Sequence, residues 1–244
     1  MNHLRRISIV LLALTALFYS PLNAQESDNE SNISLDQLFD RTRSNLLPTT
    51  DNRYVEGSPY LVDDWRRATI ELTGGHRTKF IPTKFNIYES RLEVKHEDRI
   101  MAFGLEKVNQ FDFVAQNGKR VTFKNNFNSE EYDIHRAIPL QVLHEGPVML
   151  LKKYKVNLVE AFGNEYGSGH EVDEYVRKEF YYLRMPNEKF HEVKTRKWSF
   201  FRNLPSHKQE IKKYVKDRDL DLDKEEDLIK IADYYSSLLE KESS

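Results

Sequence analysis

Alternating apolar and polar residues fill the middle of this chain and limit its fold more than any other feature. The clearest case is QFDFVAQNGKRVTF, in which Phe111 and Phe113 precede the pair Asn117-Gly118. Side chains repeat every second residue on one face of a strand, and Asn-Gly between two such runs is a strong hairpin signal. The segment therefore predicts two antiparallel strands joined by a tight turn.

Further strands are predicted from Tyr54 to Lys194, with other turns at Gly74-Gly75 and at His144–Pro147. Val148–Leu151 is apolar at every position, which favours a strand covered on both faces, although periodicity alone leaves a helix open. About nine or ten strands with short turns predict an antiparallel meander, as a curved sheet or a barrel. The other predicted strands are ATIEL (68–72), FNIYE (85–89), RLEVKHE (91–97), RIMAF (99–103), two in AIPLQVLHEGPVMLLKKYKVNLV, YVRKEFYYLRM (175–185) and KFHEVK (189–194).

Helical patterns lie on both sides of this β-rich region. In SLDQLFDRTRSNLL, Ser34 and Gln37 form a capping-box pattern, which predicts a short helix. From Thr195 onwards the apolar residues follow the period of amphipathic helices, which predicts three of them. Their sequences are TRKWSFFRNL, HKQEIKKYVKD and DLIKIADYYSSLLEK. The expected fold class is α+β: an antiparallel β-meander followed by a C-terminal three-helix segment.

The N-terminal residues have the pattern of a secretory signal peptide. MNHLRRISIVLLALTALFYSPLNAQ combines a basic start, an apolar run too short to span a bilayer, and Ala24 at a plausible cleavage point. The mature protein is expected to be soluble. The predicted organisation is a signal peptide (1–24), a disordered tether (25–33), a β-rich body with a short N-terminal helix (34–194) and a helical segment packed on it (195–244).

Composition excludes several classes of protein. The chain contains no cysteine, and Gln25 stands where a bacterial lipoprotein would need one. Disulfides, thiolate metal sites and thiol catalysis are therefore not expected. The net charge of −2, for a chain predicted to be exported, argues against a nucleic-acid partner.

DRDLDLDKEEDL, near the C-terminus, partly matches a calcium loop. Asp217, Asp219 and Asp221 occupy the first, third and fifth positions of the helix–loop–helix calcium motif. Leu222 stands where that motif needs glycine, and Leu228 where a bidentate glutamate closes the site. A connection between two helices, with its leucines pointing inward, explains the stretch better, and no calcium site is expected here.

Several segments resemble a family of exported Bacteroidota proteins to which no activity is assigned. The C-terminal segment EIKKYVKDRDLDLDKEEDLIKIADYYSSL is similar to the lysine-rich helix, Glu-Glu-Asp-Leu connection and Tyr-Tyr helix of that family. GSPYLVDDW, FNIYESRLEV and QVLHEGPVMLLKKYKV resemble its β-rich body, so the likeness covers most of the mature chain. The resemblance implies a periplasmic envelope protein of a Gram-negative bacterium and supplies no catalytic residues.

Candidate reactive residues are few. In GNEYGSGHE, Ser168 lies between two glycines near His170, but the segment lacks the G-x-S-x-G pattern and its strand–turn–helix context, and a flexible loop is expected. No histidines are paired at zinc-protease spacing, although a metal site assembled from distant strands stays open. The histidines after the predicted cleavage point are His76, His96, His135, His144, His170, His191 and His207.

Charged pairs and runs are interpreted as solvated surface. Lys152, Lys153 and Lys155, around Tyr154, are expected on the solvent side of a strand. The adjacent acidic pairs are Asp63-Asp64, Glu130-Glu131 and Glu225-Glu226. No catalytic, cofactor-binding or metal-binding residue is assigned, and no cofactor is expected.

The sequence leaves three classes of function open. The first is an exported, non-catalytic envelope protein that binds a partner, either another envelope protein or a small ligand. The second is a carrier of a small apolar ligand inside a closed β-body. The third is a hydrolase built from residues distant in sequence. A roomy interior favours the carrier, a filled interior favours the interaction module, and ionisable groups clustered in a cleft favour the enzyme.

Overall fold

The computed structural model describes residues 32–46, 55–115, 117–161, 172–193, 200–202 and 204–242. Residues 1–31, with the predicted signal peptide and most of the predicted tether, lie outside this range. The last two residues of that tether form the first strand. The strands are β1 (Asn32–Ile33), β2 (Asn45–Leu46), β3 (Val55–Gly57), β4 (Arg66–Leu72), β5 (Arg77–Thr78), β6 (Ile81–Asn86), β7 (Arg91–His96), β8 (Arg99–Gly104), β9 (Val108–Val114), β10 (Arg120–Lys124), β11 (Leu140–His144), β12 (Met149–Val159), β13 (Asp173–Arg184) and β14 (Phe190–Val193).

Helices flank and follow the strands. They are α1 (Leu35–Thr42), a 3-10 helix (Glu130–Tyr132), α2 (Lys208–Asp217) and α3 (Glu225–Glu242). Residues 200–202 are also helical, within the first of the three predicted C-terminal helices. Among the described residues, no helix combines the length and the apolar surface that crossing a bilayer requires.

The fourteen strands belong to one mixed sheet that does not close on itself. Its main path is β14-β13-β12-β11-β10-β9-β4-β6-β7-β8-β2. This path departs from a simple meander where β9 returns to pair with β4 instead of β8, and where β2 pairs with β8 at the edge. Most pairs are antiparallel, but β1 pairs with β5 and β3 with β13 in parallel. The α+β fold class is confirmed, and the curved open sheet is the form adopted.

One short segment draws distant strands of this sheet together. After β3 pairs with β13, Tyr60 bridges Asn86 at the end of β6. The guanidinium of Arg177 in β13 donates to the carbonyl of Tyr60. Gly57 lies at the crossing with a φ of +73°, and a Cβ there would lie 2.5 Å from the carbonyl oxygen of Tyr175. Glycine is therefore required at this point.

The hairpin predicted at Asn117-Gly118 is confirmed. β9 and β10 place Phe113 opposite Val121 and Phe111 opposite Phe123, all on one face. The strand predicted at 85–89 was placed too close to the C-terminus, because the observed strand β6 ends at Asn86. The side-chain oxygen of Asn86 accepts the backbone N–H of Glu89 at 2.9 Å, which turns the chain there.

The predicted N-terminal helix is confirmed as α1. The Ser34 side chain accepts the backbone N–H of Gln37 at 3.2 Å, and the Gln37 side chain accepts the N–H of Ser34 at 2.9 Å. Leu38, on the apolar face of this helix, is fully buried against the sheet. The capping box therefore fixes where the helix begins, and Leu38 anchors it.

Aromatic side chains form the centre of one buried cluster on the sheet. The rings of Phe111 and Phe123 stack at 4.9 Å, and Phe85 meets both edge-on. Tyr154 from β12 packs against the same cluster. Each buried ring removes a large apolar area from water, and edge-on pairs add about 0.5–1.5 kcal/mol beyond that burial. We call this group the aromatic interior; its phenylalanines are Phe85, Phe103, Phe111, Phe113 and Phe123.

β12 separates two further apolar clusters, which confirms that Val148–Leu151 is covered on both faces. Val148 and Leu150 pack beneath the C-terminal helices, in a cluster that includes Leu183. Met149 and Leu151 face the other way, in a cluster that includes Tyr182 and Phe190. The continuous apolar run follows from this double coverage, because neither face of the strand meets water.

α2 and α3 bury one apolar stripe each, as their periodicity predicts. Ile211 and Val215 of α2 pack with Ile231 and Tyr235 of α3. The Tyr235 hydroxyl, inside this contact, donates to the carbonyl of Ser206 at 3.1 Å. The helices thereby cover one face of the sheet at the first residues of β12.

Candidate functional site

A concave groove of about 680 Å³ lies at the β13–β14 hairpin. One wall is the 3-10 turn, with Ser129, Glu131 and Tyr132. The other wall is the end of the hairpin, from Glu188 to Glu192. We call this surface the hairpin groove; its lining is Asn128, Ser129, Glu131, Tyr132, Glu188, Lys189, Phe190, His191 and Glu192.

The 3-10 wall is held by a buried lysine from β12. Lys153 is 6% exposed, and its ammonium donates to the carbonyls of Tyr132 at 2.9 Å and Asp133 at 2.5 Å. Burial lowers the pKa of Lys153, and nearby Asp133 opposes the shift. A cation at these carbonyls neutralises the C-terminal end of the turn. The prediction that Lys153 lies on the solvent side was therefore wrong.

The hairpin wall is held by its own turn. The backbone N–H of Met185 donates to the carbonyl of Lys189 at 2.9 Å, and Glu188 adopts a positive φ of 65°. Arg184 and Glu188 form an ion pair at 2.7 Å across the turn. The register that places Phe190 opposite Arg184 then continues along β14. The backbone therefore sets the positions of His191 and Glu192.

Aromatic rings form the base of the hairpin groove. Tyr132 lies 5.1 Å from Tyr182, and Tyr182 lies 6.2 Å from Phe190, measured between ring centroids. Phe127 meets Phe190 edge-on at 6.2 Å. Phe190 and Tyr182 are buried, whereas Tyr132 is half-buried and reaches the groove surface. The groove therefore has a rigid aromatic base beneath polar walls.

Burial shifts the pKa of three side chains in the groove, in each case towards the neutral form. Burial, with the nearby charge of Glu192, raises the pKa of Tyr182 to about 12. Burial and a hydrogen bond to Glu131 raise the pKa of Tyr132. Burial lowers the pKa of His191 below its ordinary 6.5, so this imidazole is neutral at pH 7. Burial therefore favours the neutral form of each of these three side chains.

A second buried lysine joins the sheet to the C-terminal helices. Lys152 is 7% exposed, and its ammonium lies 2.7 Å from Glu179 and 2.9 Å from Glu225, the first residue of α3. The same ammonium lies over the rings of Tyr154 and Tyr181, at 4.9 and 5.2 Å. Burial acts to lower the pKa of Lys152, but the hydrogen bonds to both carboxylates reverse this effect and raise it.

The prediction that Lys152 lies on the solvent side of β12 was therefore also wrong. Successive side chains of the strand point to opposite faces, and each of these two faces is covered. Lys152 meets α3 on one face, while Lys153 meets the 3-10 turn on the other. Lys155, by contrast, is exposed as predicted.

A serine and a histidine meet at the β11–β12 turn, but their contacts are structural. The Ser236 hydroxyl of α3 lies 3.3 Å from Nε2 of His144. The same hydroxyl accepts the N–H of Val148 and donates to its carbonyl, both at 3.1 Å. Ser236 is 5% exposed, and a Cβ on Gly146 would lie 3.0 Å from its hydroxyl. This hydroxyl therefore joins α3 to the turn and has no access to a substrate.

The acidic stretch at Asp217 is a connection between α2 and α3. Leu220 and Leu222 are buried, as predicted. The carboxylate of Asp221 accepts the N–H of Asp223 at 3.1 Å, and that of Asp227 accepts the N–H of Asp221 at 3.0 Å. These carboxylates therefore stabilise the loop backbone between the helices.

The remaining candidate residues are scattered. Ser168 and His170 lie outside the described residues. Among the residues that are described, no group of three or more histidine, aspartate or glutamate side chains has the arrangement of a metal site. Of the described histidines, His191 alone lines the hairpin groove, and His207 lies 3.2 Å from Glu242 in the tail.

The acidic pairs do not act as pairs. Asp63 accepts the hydroxyl of Ser58 at 2.5 Å, and Asp64 pairs with Arg66 at 3.2 Å. Glu225 contacts Lys152, whereas Glu131 lines the hairpin groove. Sequence analysis therefore singled out both Glu131 and His191, but no local pattern indicated that the two residues line the same groove.

Another groove, of about 410 Å³, is apolar. It lies beside the β9–β10 hairpin, where Leu61 and Val62 face Phe113 and Val121. Val62 is 37% exposed there. Phe113 separates this groove from the aromatic interior, to which it belongs. We call this surface beside the β9–β10 hairpin the apolar groove.

No family model, no curated protein and no solved structure shows a significant match to this chain.

Proposed function

We propose that this chain is an exported, non-catalytic interaction module of the bacterial envelope, which recognises a protein partner through the hairpin groove. The proposal extends two expectations: export, drawn from the signal-peptide pattern, and a periplasmic location, implied by the family resemblance. It assigns the recognition surface to the rim of the body at β14, rather than to its interior.

The packing of the aromatic interior carries this proposal. Phe111 and Phe123 are fully buried and stacked, and Phe85 and Phe113 close around them. Protein interiors are packed as densely as organic crystals, so rings in contact leave no volume for a ligand between them. A body filled by its own side chains therefore favours binding of a partner at the surface rather than transport of a ligand in an internal cavity.

The networks around the buried charges also favour this function. Lys152 is engaged by two carboxylates, and Lys153 by two backbone carbonyls. Asp112 pairs with Arg77 at 2.7 Å and accepts the Thr122 hydroxyl at 2.7 Å. These charges are engaged by partners within the fold, whereas catalytic groups need a free position facing the substrate.

The hairpin groove does contain Ser129 and His191, which raises the question of a hydrolase. The two residues are widely separated along the chain, and no hydrogen bond joins their side chains among the described contacts. A nucleophilic serine requires a base within hydrogen-bonding reach. We therefore assign both residues to recognition. We expect the purified wild-type chain and the Ser129→Ala variant to hydrolyse model esters equally, both at the rate of the uncatalysed reaction.

The apolar groove supports the carrier as a second candidate. Its volume of about 410 Å³ lies within the range of small-ligand pockets. Val121→Glu would place a charge in this groove without touching the hairpin groove. If the chain carries an apolar molecule, this variant should lose a stoichiometric ligand that organic extraction and mass spectrometry recover from the wild type.

The test of the proposed function is affinity capture with matched steric variants. A chain from Gln25 to Ser244, which keeps every described residue, is used as bait for proteins of the native envelope. Asn128→Trp fills the rim of the hairpin groove, and Asp98→Trp places the same side chain in the distant β7–β8 turn; both positions are exposed. One partner should be recovered with the wild type and Asp98→Trp and lost with Asn128→Trp. Equal recovery of the partner with all three baits would refute recognition through the hairpin groove.

A further inference from the structure

We infer that the apolar groove is a binding site for a small amphipathic anion, with an alkyl chain against Phe113 and Val121 and a carboxylate at the guanidinium of Arg66. This site is separate from the hairpin groove, so the inference goes beyond the proposed function and does not depend on it. Three observations support it: the apolar walls, the face of β4 on which Arg66 lies, and the hydrogen-bonding capacity of its guanidinium.

The walls of the apolar groove suit an alkyl chain. Leu61 and Val121 pack against the aromatic interior from its edge, and Phe113 belongs to that interior. Val62, which also lines the groove, is 37% exposed. A chain that enters the groove therefore removes the apolar surface of these side chains from water together with its own, and this burial favours binding.

The Phe113 wall of the groove presents a side chain rather than a free strand edge. Phe113 is paired on both sides, with Ala68 of β4 and with Val121 of β10. A peptide that binds as an added strand needs an edge whose main-chain groups are open to it. The pairing therefore favours a small molecule at this wall over an extended segment of a protein.

Arg66 brings a positive charge to the buried face of β4. Of the lining residues that the structure describes, it alone is charged. Alternate residues of a strand share a face, so Arg66 lies on the same face as Ala68 and Ile70, which are fully buried in the core. The Arg66 side chain is 21% exposed. The buried face of this strand therefore ends in a cation at the groove.

The guanidinium of Arg66 can bind a further carboxylate. Within the described ranges of the chain it makes one hydrogen bond, from Nη2 to the carboxylate of Asp64 at 3.2 Å. Asp64 is 73% exposed, and ion pairs with such exposed partners are weak. A guanidinium has five N–H donors in a fork that matches the two oxygens of a carboxylate. A ligand carboxylate therefore competes with Asp64 for this group.

Calorimetric titration with alkyl carboxylates tests the inference. The probes are decanoate, its shorter homologue octanoate and the uncharged alcohol 1-decanol, each kept below the concentration at which it aggregates. Decanoate should bind more tightly than octanoate, by about two- to fourfold for each added methylene that the groove buries. The alcohol should bind about tenfold or more weakly than decanoate, because it lacks the charge that Arg66 engages. No binding of decanoate, or equal binding of the acid and the alcohol, would overturn the inference.

Two neighbouring arginines provide a matched pair of variants. Arg66→Gln should weaken decanoate binding by about tenfold or more and leave the affinity for 1-decanol within about twofold, a split that a damaged fold would not produce. Arg67→Gln removes the same charge from the opposite face of β4, where the guanidinium lies over the ring of Phe80. This control should leave decanoate binding within about twofold. Equal weakening by both variants would mean that only net charge matters, and would refute the site.

Two exposed positions of the groove test each end of the ligand. Asp64→Asn removes the competing carboxylate and should tighten decanoate binding by about two- to fivefold. Val62→Glu places a carboxylate against the alkyl chain and should abolish binding without unfolding the chain. Unchanged affinity in either variant would show that decanoate does not bind in the apolar groove.

The outcomes for the two grooves are distinguishable. Asn128→Trp, at the rim of the hairpin groove, should bind decanoate as the wild type does. If this variant loses partner capture while no chain binds decanoate, the proposed function stands and the anion site is refuted. If decanoate binds through Arg66 while no partner is captured, the anion site stands without the proposed function.

Discussion

The ammonium of Lys152 lies 2.9 Å from Oε2 of Glu225, and this contact joins β12 to the first residue of α3. Glu179 and the rings of Tyr154 and Tyr181 complete the surroundings of this lysine. The contact lies between two apolar clusters, since Leu150 packs with the helices and Val156 with the aromatic interior. It therefore links the β-rich body to its helical tail.

Replacing Lys152 with methionine should destabilise this link. Both carboxylates are more than a third exposed, so water replaces part of the lost interaction, and we expect a loss of about 1–2 kcal/mol in the free energy of unfolding. Urea denaturation measures it. Lys155→Met is the control, because this exposed lysine of the same strand should change stability by no more than about 0.5 kcal/mol. Equal effects of the two variants would contradict the link.

The aromatic interior should be the most sensitive region of the fold. Phe111→Ala removes a fully buried ring and leaves a cavity, for a predicted loss of about 3–5 kcal/mol. Phe80→Ala changes a ring that is 44% exposed and should cost far less. Denaturation of both variants in guanidinium chloride compares them. A small loss for Phe111→Ala would mean that the interior has room, which favours the carrier.

The crossing at Gly57 offers a test of backbone geometry. Gly57→Ala brings a Cβ to 2.5 Å from the carbonyl oxygen of Tyr175, in addition to the strain of a positive φ. Gly118 has a similar φ of +77°, but a Cβ there would meet no atom within 4 Å, so Gly118→Ala measures the strain alone. We expect about 1–2 kcal/mol for Gly118→Ala and a larger loss for Gly57→Ala, by thermal or urea denaturation. Equal losses would argue against the close approach of β3 to β13.

The hairpin groove should make stability depend on pH through His191. Burial lowers the pKa of this imidazole in the folded chain, so between that pKa and 6.5 the unfolded chain binds the proton more readily. The free energy of unfolding should therefore fall as the pH drops through this window. His191→Gln should reduce the slope, and His135→Gln, at an exposed position, should not. An unchanged slope in His191→Gln would show that the ring is not desolvated.

Much of the fold was predictable because its signals are local. The Asn117-Gly118 turn, the Ser34 capping box and the apolar run Val148–Leu151 each depend on neighbouring residues, and the structure confirms all three. The return of β9 to β4 depends on pairing between distant strands, and no local pattern encodes it.

The candidate site was not predictable for a related reason. Lysines on alternating positions resemble a solvated strand, and only tertiary contacts with Glu225 and with the carbonyl of Tyr132 reveal that Lys152 and Lys153 are buried. The two walls of the hairpin groove come from separate parts of the chain, so the proximity of Glu131 and His191 emerges from strand order.

Site-specific photo-crosslinking in the native cells tests recognition through the hairpin groove most directly. A photoreactive phenylalanine analogue replaces Asn128 at the rim of the groove, or Asp98 in the β7–β8 turn as the control; both positions are exposed. Recognition through the groove predicts one discrete crosslinked protein from position 128 and none from position 98. The absence of any adduct at position 128, or the same adduct from both positions, would contradict it.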